Sequence, residues 1–97
     1  MYASIRRYGG VTGSVKDLAQ KAESGLVPIF KKNPGFVAYY VVDGGGGHLV
    51  SVSVFDSAEA AHNSNEQAAA WVKDSVSQFM TEAPQITHGQ VLVSAKR

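Results

Sequence analysis

The sequence predicts an α+β fold, a four-stranded antiparallel sheet with two helices on one face, in the order β-α-β-β-α-β. Three observations predict it. Two runs of β-branched and aromatic residues, Gly35 to Asp43 and His48 to Asp56, meet at Gly44-Gly45-Gly46-Gly47, and a Gly-rich joint between such runs reads as a hairpin. A long helical pattern flanks the hairpin on either side, and one more strand lies outside each helix. This is the split βαβ, or ferredoxin-like, plan. It hosts enzymes, regulatory ligand-binding modules and RNA-binding domains alike, so function has to be read from particular side chains.

Taken in order, Tyr2 to Tyr8 alternates Ala3, Ile5 and Arg7 against Tyr2, Ser4, Arg6 and Tyr8, a strand with two differently used faces. Gly9-Gly10 ends it. Ser14 stands where a helix N-cap belongs, with Asp17 three residues on, and Val15, Leu18, Ala19, Ala22, Leu26 and Ile29 recur at helical spacing. Pro28 lacks a backbone donor and follows Gly25, so the helix should kink or restart between them. Asn33-Pro34-Gly35 stops it. Ser57 caps the second helix, whose apolar stripe runs through Ala58, Ala61, Ala68, Ala69, Val72, Val76 and Phe79 until Pro84 forces an end. The last strand is predicted over Ile86 to Ala95.

The 97 residues suit one domain, residues 1–97, with one core, and at this size oligomerisation is a natural supplement to burial. A formal charge of +1, nine Lys and Arg against eight Asp and Glu, provides no field for nucleic acid or acidic lipid. No apolar run approaches the roughly 20 residues of a membrane span, and Met1 to Arg7 lacks the apolar core of a signal peptide. The expectation is a cytoplasmic protein. The absence of cysteine excludes disulfides, thiolate nucleophiles and Cys-ligated zinc or iron–sulfur sites. An RNA-recognition domain shares the element order, but His48 to Phe55 has neither the stacking motif nor the basic surface this function needs. The Gly44 to Gly47 run leads into a strand, not a helix N-terminus, so it is no phosphate loop.

Val50, Val52 and Val54 form one uniformly apolar strand face, expected to lie beneath the helices, with Leu49, Ser51, Ser53 and Phe55 on the other. In the partner strand Phe36, Ala38, Tyr40 and Val42 share one face and Val37, Tyr39 and Val41 the other. Both are apolar, so something must cover the side the helices leave bare. A second copy, sheet against sheet, is the expected cover, with Ser51 or Ser53 pointing into the interface.

Asn33-Pro34-Gly35-Phe36 opening the second strand, Val52-Ser53-Val54-Phe55-Asp56 before a Ser-capped helix, and an Ala-rich second helix carrying Trp71 resemble the antibiotic-biosynthesis monooxygenase-like branch of the dimeric α/β-barrel superfamily. The resemblance spans essentially the whole chain. It implies a ferredoxin-like protomer pairing into a homodimeric α/β barrel, with a pocket between helices and sheet in each protomer. Members of that branch include cofactor-independent monooxygenases acting on phenolic or quinol-type molecules, heme-degrading enzymes and proteins of no known activity. The expected function is binding or cofactor-free oxidation of a small aromatic molecule. The alternative is a non-catalytic small-molecule-binding or stress-responsive interaction module. In heme-degrading relatives a Trp on this helix is joined by a later His and by an Asn on the first strand. Here Thr81-Glu82 and Ser4 or Arg6 occupy those places, which disfavours heme degradation.

Asn65 is expected in the middle of the second-helix stripe, either satisfied by backbone or buried water, or binding a ligand oxygen as an oxyanion donor. His62, one turn earlier, is the candidate general base, since an unperturbed histidine titrates near neutrality; its other reading is a half-exposed residue paired with Glu59 or Glu66. Glu59-Ala60-Ala61-His62 repeats a metal-bundle spacing, but a single copy does not make a metal site. No metal or cofactor is expected. Trp71 and Tyr39 are the candidate aromatic walls of a substrate pocket, with a dimer contact the other reading for Trp71. Tyr2, Arg6, Tyr8, Tyr40, His88 and Gln90 are further polar or amphipathic strand residues whose face alternation does not assign. Arg6 on an inward face calls for a carboxylate or an anionic ligand.

Overall fold

The computed structural model describes residues 1–97. Four antiparallel strands, β1 (Tyr2–Tyr8), β2 (Phe36–Gly45), β3 (His48–Phe55) and β4 (Gln85–Gln90), form one sheet in the order β2-β3-β1-β4. The connections hold α1 (Val15–Gly25), α2 (Val27–Lys31) and α3 (Ala58–Trp71). The helices share one face, which is the ferredoxin-like plan.

Local chemistry sets the boundaries. The Ser14 hydroxyl accepts from the Asp17 N–H at 3.2 Å and the Ser57 hydroxyl from the Ala60 N–H at 3.2 Å, so each helix opens on the predicted cap, an arrangement typically worth about 1 kcal/mol. Pro28 sits in the first turn of α2, where its missing donor costs nothing. The break between α1 and α2 falls between Gly25 and Val27 accordingly. In the hairpin Gly45, Gly46 and Gly47 all have positive φ, 77°, 60° and 80°, which explains the glycine run. The Asp43 carboxylate holds the turn by accepting from the Gly45 N–H at 2.9 Å.

Sheet orientation differs from the expectation. The helices cover Leu49, Ser51, Ser53 and Phe55 of β3, with Ser4, Arg6 and Tyr8 of β1, all buried. Val50, Val52 and Val54 lie on the open face beside Ala3 and Ile5. The polar face can be the covered one because its hydroxyls and guanidinium bond one another. Ser51 and Ser53 therefore do not point toward any partner seated on the open sheet. A bulge between Phe36 and Ala38 moves Phe36 onto the side of Tyr39 and Val41, since one extra residue inverts the alternation.

Two buried clusters flank the serines. One gathers Leu26, Phe30, Phe55, Ala60, Ala61 and Ala68; the other gathers Tyr8, Val11, Leu18, Leu49 and Val76. Trp71 packs against both. Phe30 meets Tyr39 and Phe55 edge-on with centroids 5.2 and 5.8 Å apart, a geometry that adds about 0.5–1.5 kcal/mol per pair. The second-helix stripe is displaced from the predicted one. Ala58 and Ala69 are exposed while Ala60, Ala61, Ser64 and Ala68 are buried. After Trp71 the chain makes a π turn, Val72–Val76, and a short 3₁₀ turn, Ser77–Phe79.

The last strand stops at Gln90, not Ala95. Gln90 stands opposite Tyr2, the first residue of β1, so the residues after it have no strand to pair with. The Val91 N–H still donates to the Met1 carbonyl at 2.9 Å. Beyond it Leu92 and Val93 are each 86 % exposed.

Candidate functional site

A guanidinium lies at the centre of the covered face. Arg6 is 1 % exposed. Its Nε donates to Ser51 Oγ at 3.0 Å, Nη2 to Ser53 Oγ at 3.2 Å and Nη1 to Asn65 Oδ1 at 2.7 Å. The Phe30 ring lies 5.8 Å below it, within cation–π range. Alternation on two adjacent strands aims the partners at one point, since Arg6 faces Ser51 across the β1–β3 pair. The network continues outward. Asn65 Nδ2 donates to Ser4 Oγ at 3.0 Å, Ser4 Oγ to the Ala61 carbonyl at 3.3 Å, and Ser64 Oγ to the same carbonyl at 2.6 Å.

Every one of these partners is neutral. The one acid–base contact within 4.0 Å in the molecule joins His62 to Glu66 at 3.9 Å on the surface, so Arg6 has no carboxylate. Burial pulls the guanidinium below its ordinary value, opposed by the neighbouring Tyr8 and Tyr39, and it remains a cation at neutral pH. Burial also pushes the phenols of Tyr8 and Tyr39 above their ordinary value, with Arg6 acting the other way on both. Both tyrosines are hydroxyl donors and acceptors at neutral pH, not counter-ions.

Arg6, Tyr8, Tyr39 and Ser51 line a narrow cavity whose other walls are apolar, with Leu18, Ala22, Leu26 and Trp71 among them. Its free volume is about 20 Å³, room for about one water. Ala19, Tyr39 and Val41 also line an outer groove of about 410 Å³ along α1 and β2.

Of the sequence-predicted site residues, Trp71 and Tyr39 line this cavity. Asn65 is half-buried and lies on the flank of α3 toward β1, where it holds Arg6; Ser64 occupies the buried middle of the helix face. The His62 side chain is 65 % exposed, with His88 its aromatic neighbour at 6.4 Å, and it does not reach the cavity. Arg6 and Tyr8 carry the polar end of the cavity, yet strand alternation alone leaves their face open. No local signal assigned it, because the unbroken valine face of β3 pointed to the opposite side of the sheet. No group of three or more His, Asp or Glu side chains is arranged to hold a metal ion, and no helix is long and apolar enough to cross a membrane.

The sequence profile of antibiotic biosynthesis monooxygenases matches residues 1–74. The chain belongs to this family. As a family member it shares its fold with several solved structures. A protein of unknown function from Nitrosomonas europaea superimposes with a TM-score of 0.77 at 18 % identity, over 99 % of this chain and 93 % of that one. SnoaB, a cofactor-independent oxygenase from Streptomyces nogalater, gives 0.72 at 13 % identity, over 99 % and 97 %. The ActVA-Orf6 monooxygenase of Streptomyces coelicolor, solved with nanaomycin D, gives 0.69 at 17 % identity, over 96 % and 92 %. At these identities the likeness is one of fold. A search of curated proteins returns no match for this family member.

Proposed function

We propose that the protein binds a small phenolic or quinol-type aromatic molecule between α1 and the sheet and oxidises it with dioxygen without a cofactor. The observation that carries this reading is the apolar, aromatic-walled cavity ending on the Arg6 network. Family membership supports the reaction class. In such a reaction the substrate supplies the electrons and the protein supplies orientation, exclusion of water and stabilisation of a developing oxyanion. Arg6 and the two phenols are placed for that stabilisation, Trp71 and Tyr39 for the walls. Asn65 acts through Arg6, as a positioning residue. His62 has no part in this arrangement.

The experiment is oxygen uptake with 1,4-dihydroxynaphthalene and related quinols in the presence of a chelator. Uptake well above the protein-free rate is expected, and Asn65→Ala should lower it by on the order of 10²-fold, as for misplacement of the Arg6 group it positions. Absence of uptake across the panel would overturn turnover. The second reading, a binding or interaction module without turnover, is favoured by one observation: no histidine or carboxylate lines the cavity. Quinol binding without oxygen uptake would establish it.

We also infer that a second copy covers the open sheet face. Tyr40 and Val42 are 59 % and 51 % exposed there, beside the half-buried Val50, Val52 and Val54. An apolar face of this kind favours association.

A further inference from the structure

We propose that the outer groove between α1 and β2 selects aromatic ligands that carry a positively charged amine, seating the ammonium against Glu23 while the ring hydroxyl is directed inward. This rests on the reading of the cavity as a phenolic site and specifies which substituted phenols it prefers.

Size divides the ligand between two spaces. The inner cavity, at about 20 Å³, has room for about one water, enough for a single oxygen but not for a ring. The groove of about 410 Å³ outside it shares Ala19, Tyr39 and Val41 with the cavity, so a ring lying there can direct a hydroxyl inward past Tyr39. Whatever the ring carries at its far end is left in the groove. Gln20, Glu23 and Val27 complete the groove, and Glu23 is its one charged side chain.

Glu23 has no structural duty that accounts for it there. It stands in the last turn of α1, where the helix dipole disfavours a carboxylate, and no basic residue in that turn offsets it. It has no ion-pair partner within 4.0 Å, since the one such contact joins His62 to Glu66. Lys21, the nearest lysine in sequence, faces the other flank of the helix, where it lines a separate cleft with Trp71 and Ser75.

The carboxylate and the negative end of the helix dipole act together on the groove, and the apolar walls of Ala19, Val27 and Val41 concentrate their field. An ammonium has three N–H donors. Glu23 and Gln20, three positions apart on one face of the helix, can accept two of them. The site is thereby polarised end to end. Arg6 repels a cation from the inner end and Glu23 draws it to the outer one, which fixes the direction in which an amine-bearing phenol enters. A neutral substituent of the same length gains nothing from Glu23, and a carboxylate there is repelled.

The test compares tyramine with tyrosol, phenols of one skeleton whose side arm ends in an ammonium or in a hydroxyl. In isothermal titration calorimetry at neutral pH and low salt, tyramine should bind at least about threefold more tightly, the scale of a partly exposed ion pair, and the preference should shrink as added salt screens it. Glu23→Gln should bring tyramine to the affinity of tyrosol, and Glu23→Lys should reverse the order. Glu23 is exposed, so neither change touches the core, and circular dichroism checks that each variant is folded. Equal affinities in the wild type, or a preference that survives in Glu23→Gln, would overturn the proposal while leaving the phenolic site standing. If neither phenol binds, the phenolic reading fails and takes this inference with it.

Discussion

Arg6 keeps its charge at a position where burial disfavours it, and this opposition makes its contribution to stability measurable. Arg6→Met removes the cation but leaves the Ser51 and Ser53 hydroxyls and the Asn65 carbonyl without their donor, and each orphaned group costs about 1–3 kcal/mol. Urea denaturation should therefore show a loss of stability. An unchanged or raised unfolding free energy would show that relief of the cation's desolvation outweighs the lost network. Asn65→Ala differs, because it strips the acceptor from Nη1 while keeping the cation, and should cost about 1–3 kcal/mol. Tyr8 and Tyr39 supply a pH test. Their phenols are raised in the fold, so above pH of about 10 the unfolded chain releases protons that the folded chain retains, and stability falls as pH rises. Tyr8→Phe and Tyr39→Phe should each reduce that alkaline loss, and each should remove part of the late tyrosinate absorbance.

Among the elements, the α1–α2 break and the end of α3 meet at one contact. A Cβ added at Gly25 would lie 2.6 Å from Trp71 Nε1, too close without movement of the indole. Gly25→Ala should push Trp71 from its place between the two clusters, with a loss of about 1–3 kcal/mol, the usual range for overpacking, and an altered tryptophan emission spectrum. Unchanged emission and stability would mean that the contact relaxes freely. The helix starts at Ser14 and Ser57 and the glycine hairpin were legible in the sequence because capping and positive φ are decided within a few residues. The second-helix stripe was less so. Ser64, outside the predicted stripe, is buried against Ala61 and Ser53, since hydrogen bonding makes burial of a hydroxyl tolerable. The bulge after Phe36 was not legible either, because the bulged strand keeps an unbroken apolar pattern.

For the whole molecule, assembly follows from which face the helices leave open. Val52 stands at its middle, opposite Ile5 and Tyr40 in the neighbouring strands. In light scattering the wild type should be a dimer at micromolar concentration, and Val52→Asp should be a folded monomer, since an uncompensated charge buried between two sheets costs several kcal/mol, on the order of 3–5. A monomeric wild type would overturn the assembly.

The sequence by itself determined the element order, the hairpin, the helix caps and the break before Pro28, since each depends on backbone geometry within a few residues. It also determined which residues of β1 and β3 share a face, though not Phe36 of β2, which the bulge carries across. Only the tertiary structure decided which face the helices cover. A period of two cannot distinguish the faces, and an unbroken row of valines pointed to the wrong one. The covered face is polar because Arg6 finds Ser51, Ser53 and Asn65 at separations of 45, 47 and 59 positions in the chain. A satisfied polar group can be buried where an unsatisfied one cannot, and that satisfaction exists only once the strands and α3 have come together.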